Sequence, residues 1–396
     1  MNKAEEFVSD LCGKSFLSLW SYENPQGKDP RKELCDLLVI CEPDIIIFSV
    51  KDIKASNSGD MSLDWSRWRK KAIKDSCKQI YGAERWIKSA THVIRKDGLP
   101  GLPFPRPSER RVHRIAVAFG GQGQVPISFG NFGKGFIHVF DERSFAIVLQ
   151  ELNSISDFVK YLVDKEALYK AGVKTVFEGG EEDLLAAYLH AGRKFPLDHD
   201  VIVIGDCHWN DVSEKPEYKA KLLLDKESYV WDRLIETFCD DILYGTLEFG
   251  NSLAESELVV RTMARESRFY RRILGKTFLE FLKNSKGTRA RIVPSPSEVT
   301  YVFLNCPHGE DRQYRVAELW NRCFIALGIH KNNKTVIGIA TEQYEPGKGF
   351  SLDAVYLHFD NWSERERAHS EAMQKDLGFF VKPVETRFHE DEYPTV

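Results

Sequence analysis

The sequence of 396 residues contains no run of about 18 consecutive apolar residues, so we expect no membrane-spanning helix. Its first six residues include no apolar core of the length that a signal peptide needs. The eight cysteines form no Cys-x-x-Cys pair, which argues against a zinc ribbon and indicates scattered free thiols. Such thiols are typical of a reducing compartment, so the sequence predicts a cytoplasmic protein.

A strongly basic composition is also missing, because the formal net charge is −4. Contact with a nucleic acid would therefore depend on a local basic surface. The sequence has no Gly-x-Ser-x-Gly motif for acyl transfer, and its glycine-rich segment 120–135 lacks the Walker spacing of a phosphate loop. What remains is a chain with 42% hydrophobic and 29% charged residues, long enough for two or three domains with their own cores.

Two apolar runs flank the turn at 42–44 and predict a β-hairpin over residues 36–51. Asp36 opens the first run, and Ser49 and Lys51 close the second. The start of one strand in a hairpin lies beside the end of the next, so we expect Asp36 and Lys51 to meet at one edge of a sheet. A carboxylate and an ammonium group at that edge are costly to desolvate unless they pair or act. A metal ligand beside a cation is what phosphodiester cleavage needs.

This order of residues resembles the PD-(D/E)xK nuclease superfamily. The family has an Asp at the head of one strand and an acid-x-Lys at the end of the next, after a helix that carries a Glu. Here a predicted helix at 3–12 precedes Asp36 and the Ser49-x-Lys51 segment, and the resemblance covers residues 1–120. The departure is Ser49, which stands where the family usually has Glu or Asp. Some restriction enzymes with Ser-x-Lys take the missing acid from the following helix.

The resemblance implies a restriction-endonuclease-like α/β fold, in which helices flank a mixed sheet. It implies a metal-dependent endonuclease that uses Mg²⁺ or Mn²⁺ to hydrolyse phosphodiester bonds. DNA is the expected substrate and RNA the alternative, and bacterial members of the family often act in restriction or antiviral defence. A second copy of the chain or a partner protein is a further expected partner, and no membrane is expected.

The expected catalytic residues are Asp36, Ser49 and Lys51. Asp36 would bind the metal ion, and Lys51 would stabilise charge on the phosphate or help to deprotonate water. Ser49 shares a strand face with Lys51 and would hydrogen-bond a metal-bound water. A turn-capping Asp and an edge-strand Lys are the structural alternatives.

The source of a second acidic ligand stays open. Asp64 is expected to open the helix after the hairpin, and it is either a metal ligand or the N-cap of that helix. Glu5 on the N-terminal helix is the other predicted metal ligand, with Glu6 as its rival and a frayed surface position as the alternative. Glu84 is a weaker rival of Asp64.

A long helix is predicted over residues 63–89, because Trp65, Trp68 and later apolar residues recur at helical spacing. Its basic face would line a phosphate backbone, although a solvated helix face is the usual alternative. Gln79 on this helix resembles the polar residue that many members of the family carry near the active site. The predicted nucleic-acid-binding residues are Arg67, Lys70, Lys71, Lys74, Lys78 and Gln79.

The whole sequence predicts an α/β chain of three regions. Residues 1–170 are predicted as the nuclease-like domain, 171–290 as a mainly helical region, and 291–396 as a small α/β region for targeting or regulation. The pattern predicts strands at 16–20, 93–94, 114–119, 136–140, 201–204, 299–304 and 336–340, and helices at 144–170, 181–191, much of 226–284, and 314–327.

Two rival functions come from other classes. A nuclease-fold protein without catalysis could bind a nucleic acid or a protein partner, and Ser49 in place of an acid favours that rival. A metallophosphoesterase could use Asp206 and His208, which follow the strand at 201–204. The companion motifs of that class are missing from the sequence. Convergence of Asp36, Lys51 and a third carboxylate would favour the nuclease.

Overall fold

The computed structural model describes residues 2–29, 32–54, 56, 58–121, 129–245, 252–284, 287–343, 345, 347–348, 351–385 and 389–395. The chain divides into two compact units, Met1–Lys219 and Ala220–Val396, which we call the first unit and the second unit. Both combine helices with a mixed sheet, so the predicted α/β class is confirmed. The threefold division at 170 and 290 stays a prediction of the sequence.

The first unit contains a six-stranded mixed sheet with the strand order β1-β2-β3-β6-β8-β7. Strands β1, β2 and β3 are antiparallel neighbours, whereas β6 runs parallel to β3 and β8 runs parallel to β6. The carboxyl ends of β3, β6 and β8 therefore lie at the same edge. The strands of this unit, including the separate pairs β4-β5 and β9-β10, are β1 Ser21–Glu23, β2 Leu37–Cys41, β3 Asp44–Asp52, β4 His92–Ile94, β5 Pro100–Pro103, β6 Arg111–Phe119, β7 Gly130–Asn131, β8 Phe136–Phe140, β9 Lys174–Phe177 and β10 Val201–Ile204.

Helices precede β1 in the chain, lie between β3 and β4, and follow β8. The α-helices are α1 Lys3–Phe16, α2 Met61–Arg69, α3 Asp75–Ile87, α4 Glu142–Glu151, α5 Ile155–Lys170, α6 Glu181–His190, α7 His208–Glu214 and α8 Pro216–Leu224, the last of which contains the boundary between the units. A π-helical turn, Lys70–Lys74, joins α2 to α3, so the predicted helix over 63–89 is one helical rod with an altered turn. The predicted helix over 144–170 is two helices.

The predicted strand at 16–20 is wrong. Helix α1 continues to Phe16, and Ser18–Trp20 forms a 3-10 turn before the strand Ser21–Glu23 begins. Leu17 ends the helix with a φ of 69°, and its N–H donates to the carbonyl oxygen of Gly13. This apolar segment is buried as turns of a helix, and a short buried run has the same composition in a strand.

The hairpin packs against the helical rod through a continuous apolar core. Ile45 and Ile47 on β3 belong to the same buried cluster as Trp68, Ile73 and Ile80 on the rod. The predicted hairpin is confirmed, with pairing from Leu37 opposite Phe48 to Cys41 opposite Asp44. Cys35, Cys41 and Cys77 of this unit are all buried.

The second unit contains a four-stranded sheet with the order β11-β12-β13-β14. Its central strands β12 and β13 are parallel and are joined by a helix, as a parallel pair requires. The predicted strands and helix of the α/β region at 299–340 are confirmed with longer bounds. The elements are α9 Tyr229–Tyr244, α10 Leu253–Ala264, α11 Arg268–Asn284, β11 Arg289–Pro294, β12 Val299–Cys306, α12 Arg312–Ile329, β13 Thr335–Glu342, β14 Leu352–His358 and α13 Glu364–Leu377.

In the part of the chain that the structure describes, no helix combines the length and the apolar character that crossing a membrane would take.

Candidate functional site

The hairpin brings Asp36, Ser49 and Lys51 to one edge of the sheet. Asp36 directly precedes β2, and its N–H donates to the carbonyl oxygen of Phe48, one residue before Ser49. Ser49 and Lys51 are alternate residues of β3 and therefore share a face. The Lys51 Nζ lies 3.7 Å from Asp36 Oδ2. The expected meeting of Asp36 and Lys51 is confirmed, and their catalytic roles stay predictions.

Gln79 on α3 connects all three of these side chains. Its Oε1 accepts hydrogen bonds from Ser49 Oγ at 2.8 Å and from Lys51 Nζ at 2.9 Å, and its Nε2 donates to Asp36 Oδ1 at 3.0 Å. The direction of the carboxamide follows from the chemistry of its partners, because an ammonium group only donates and a carboxylate only accepts. The centre of the site is therefore an amide group.

The two charged side chains of the site are buried to different degrees. The Asp36 side chain is 5% exposed, whereas that of Lys51 is 29% exposed. The second carboxylate oxygen of Asp36 accepts from the backbone N–H of Val50, so both oxygens are hydrogen-bonded. An anion that arrives from solvent would meet the ammonium group of Lys51 first.

The helical rod fixes the position of Gln79. Its first part is anchored where Trp68 Nε1 donates to the carbonyl oxygen of Ile53, just beyond β3, at 2.8 Å. Its last part is anchored where Glu84 accepts two hydrogen bonds from Arg114 on β6, at 2.8 and 2.6 Å. The π-helical turn lies between Trp68 and Gln79. Such turns occur often at functional sites, since they change the face that the following residues present.

In the structure, the Asp64 carboxylate is hydrogen-bonded by serines of the loop that precedes its helix. The helix begins at Met61 with Asp60 as its N-cap, so the expectation that Asp64 opens the helix is wrong. Its carboxylate accepts hydrogen bonds from Ser56 Oγ, and from the Ser58 backbone N–H and Oγ at 2.7 and 2.9 Å. The hydrogen bond from Ser56 and the one from the Ser58 backbone hold the pKa of Asp64 below its usual value.

The other predicted acids are also engaged elsewhere. Glu5 closes a capping box at the start of α1, where its carboxylate accepts from the backbone N–H and the side-chain amide of Asn2 at 2.9 and 2.8 Å. Glu84 is held by Arg114. Across the described residues, no three His, Cys, Asp or Glu side chains are grouped so that they could hold a metal ion. The ligand set of Asp36, Asp64 and Glu5 stays a prediction.

The oxygens around Asp36 can be compared with what Mg²⁺ or Mn²⁺ requires. Mg²⁺ is usually held by one or two carboxylates together with waters and substrate phosphates. The site offers one carboxylate and the hydroxyl group of Ser49. This set fits the ion when a phosphate completes it and when the N–H of Gln79 no longer points at Asp36.

A strip of exposed basic side chains follows the helical rod, and we call it the basic ridge. Lys78 in the ridge pairs with Asp75 at 2.7 Å. The pKa of Asp75 is lowered mainly by its hydrogen bond from Lys78, and also by the charges of Lys70 and Lys51. The ridge therefore lies within electrostatic reach of the site. Its exposed members are Arg67, Lys70, Lys71, Lys74 and Lys78.

Asp206 and His208 occupy the exposed turn after β10. Helix α7 begins at His208, and the adjoining backbone N–H of Trp209 donates to Asp183 on α6 at 2.9 Å. This hydrogen bond therefore joins the start of α7 to the start of α6. Over the described residues this turn belongs to no group of three metal-binding side chains, so the structure adds no support for the phosphoesterase rival.

Sequence reasoning listed Gln79 among the nucleic-acid-binding residues and, through the resemblance, near the active site, and the structure places it in contact with Asp36, Ser49 and Lys51. A usable signal was its position between Cys77 and Ile80, which are both buried. Comparisons of the chain with protein-family models, with curated proteins and with solved structures found no match.

Proposed function

We propose that the first unit is a metal-dependent nuclease that hydrolyses phosphodiester bonds in DNA, with RNA as the alternative substrate. The observation that carries the proposal is the convergence of Asp36, Ser49, Lys51 and Gln79 at one sheet edge, within electrostatic reach of the basic ridge. A partly exposed ammonium group beside a buried carboxylate suits a phosphate and a divalent cation at once.

The order of elements supports a restriction-endonuclease-like fold as part of this proposal. Helix α1 is followed by the antiparallel strands β1, β2 and β3, then by the helical rod, and then by β6 parallel to β3. Asp36 stands at the head of β2, and the Ser49-x-Lys51 segment lies near the end of β3. These are the positions that the resemblance to the PD-(D/E)xK superfamily implies. A role in restriction or antiviral defence belongs to the same proposal.

The residues would divide the work by their chemistry. Lys51 would bind a non-bridging phosphate oxygen and stabilise the charge that develops on it. Ser49 and Gln79 would orient Lys51, because Gln79 Oε1 accepts hydrogen bonds from both Ser49 Oγ and Lys51 Nζ. Asp36 would hold the divalent cation. When bound, that cation would supply Lewis-acid activation of the phosphate and of a water molecule.

Cleavage of labelled duplex DNA with Mg²⁺ or Mn²⁺, and its loss with a chelator, tests the proposal. Asp36→Asn and Lys51→Ala should each lower the rate at least about 100-fold, because both side chains act on the transition state. Asp200→Asn and Lys174→Ala are matched controls at exposed positions of the same unit, and they should keep the wild-type rate. Full activity of Asp36→Asn would remove the site from consideration.

The rival without catalysis is favoured by one specific observation. Position 79 supplies an amide where a second carboxylate would complete a metal site, and the three predicted acids bond elsewhere. Under that reading the first unit binds nucleic acid through the ridge and through Lys51. Salt-sensitive binding of DNA and RNA, with no cleavage of either at any metal concentration, would favour the rival.

A further inference from the structure

We infer that Gln79 keeps the affinity of the free site for divalent cations low, so that a cation binds together with a phosphodiester and not before it. This inference rests on the proposed function, because it concerns the same site. It assigns to Gln79 a positioning role with a consequence for the order of binding.

Both carboxylate oxygens of Asp36 already accept hydrogen bonds. One oxygen accepts from the backbone N–H of Val50, and the other accepts from Gln79 Nε2 at 3.0 Å. Both contacts direct a positive hydrogen atom at the place where a cation would bind. The contact with Val50 belongs to the backbone of β3 and persists, whereas a side-chain amide can turn away. Gln79 is therefore the movable obstacle.

Three hydrogen bonds hold the Gln79 carboxamide in place. Its Oε1 accepts from Ser49 Oγ and from Lys51 Nζ, so the carboxamide is fixed by two donors on one side and one acceptor on the other. A phosphate oxygen is a stronger acceptor for an ammonium group than a neutral amide is. A bound phosphodiester would compete for Lys51 and so loosen Gln79. Phosphate binding would thus expose Asp36 to the cation.

The formal charge of the site also affects how strongly it attracts a cation. The site holds one carboxylate and one ammonium group 3.7 Å apart, so its formal charges cancel and it offers little attraction to a free cation. A phosphodiester adds one negative charge. The affinity for a cation should rise when the phosphate is present, and linkage requires that the cation strengthens phosphate binding by the same factor.

Substitution at position 79 separates this inference from a simple structural role. Glutamate has nearly the shape of glutamine, so Gln79→Glu would place a second carboxylate beside Asp36 and remove the obstructing N–H. Gln79→Ala removes the N–H and adds no charge. Gln150→Glu, at an exposed position of α4, makes the same change in net charge away from the site.

The experiment measures Mn²⁺ binding to the full chain by calorimetry and electron paramagnetic resonance. Gln79→Glu should bind Mn²⁺ alone at least about tenfold more tightly than the wild type. Gln79→Ala should also bind it more tightly, by a smaller factor, and Gln150→Glu should match the wild type. A phosphorothioate duplex, which resists hydrolysis, should raise the affinity of the wild type for Mn²⁺ at least about tenfold and that of Gln79→Ala by less.

Two results would overturn the inference. The first is a wild type that binds Mn²⁺ alone as tightly as Gln79→Glu does. The second is a Gln79→Ala variant that binds Mn²⁺ less tightly than the wild type, since Gln79 would then be a ligand. Thermal unfolding checks each variant, and Gln79→Ala decides the matter if Gln79→Glu does not fold. Absence of cleavage with these binding results intact would count against the nuclease proposal and leave the inference standing.

Discussion

Neutralising the basic ridge should flatten the salt dependence of nucleic-acid binding by a calculable amount. Each phosphate that a lysine or arginine neutralises releases condensed counterions, so binding weakens as salt is added. The perturbation is the combined variant in which Arg67, Lys70, Lys71 and Lys74 become glutamine. All four side chains are exposed on the helical rod. Lys78 is left out because Asp75 already shares its charge.

The magnitude follows from the number of charges. Each contact with duplex DNA contributes about 0.9 to the slope of log affinity against log salt concentration, so four contribute about 3.6. Raising the salt from about 50 to about 200 mM would then cost the ridge alone roughly 150-fold in affinity. The variant should lose most of this dependence and should bind every duplex sequence more weakly, since phosphate contacts carry no base specificity.

The assay is fluorescence anisotropy of a labelled duplex at several salt concentrations, with a chelator present so that nothing is cleaved. The matched control neutralises four exposed lysines on other parts of the first unit, namely Lys28, Lys96, Lys174 and Lys194. It changes the net charge equally and should leave the slope almost unchanged. A ridge variant with the wild-type slope, or a control that flattens the slope as much, would refute the assignment of the interface.

Two further predictions concern the rival site and the buried charges of the first unit. Asp206→Ala and His208→Ala should leave metal-dependent cleavage at the wild-type rate, and a collapse of activity with unchanged thermal unfolding would move the chemistry to that turn. Lys165→Met should lower the free energy of unfolding by about 3–5 kcal/mol, because Lys165 and Glu181 form a fully buried ion pair and the carboxylate would lose its cationic partner while keeping a hydrogen bond from Tyr161. Urea denaturation should show that adding Glu181→Gln restores more than half of the loss, and an additive double variant would contradict this.

The sequence allowed the hairpin and the meeting of Asp36 with Lys51 to be predicted because both depend on local pairing. A turn between two apolar runs sets which residues lie opposite each other, because the type and length of the turn fix the register of a hairpin. The helical rod was predictable for a similar reason, since Ile73, Cys77 and Ile80 repeat at spacings of four and three residues and all are buried.

The place of Gln79 and of the acids depends on contacts that a sequence pattern does not contain. The π-helical turn shifts the face of the rod, so the direction of Gln79 cannot be counted from Trp65 with a regular helix period. An aspartate at position 64 suits either a helix cap or a metal ligand, and in the structure the serines of the preceding loop donate hydrogen bonds to its carboxylate. Glu5 is part of the capping box at the start of its own helix. Each outcome is a competition between nearby partners.

The elements of the second unit illustrate a different limit. Strands β12 and β13 lie in the middle of their sheet and are buried along almost their whole length, so their apolar runs were recognisable. Strands β11 and β14 form its edges and are only partly buried, and their sequences mix arginine or aspartate with apolar residues. An edge strand needs few apolar side chains, and it therefore leaves a weak pattern.

The charges at the sheet edge also decide how the two proposals relate. A site with one carboxylate and one ammonium group is neutral, so Lys51 can attract a phosphate before any cation has bound. A site with two carboxylates would be negative and would repel the phosphate until a cation had neutralised it. The amide at position 79 therefore suits a protein that first captures a nucleic acid through the ridge and Lys51. Catalysis would then depend on a cation that the captured phosphate helps to bind, and the same capture without a cation would be binding alone.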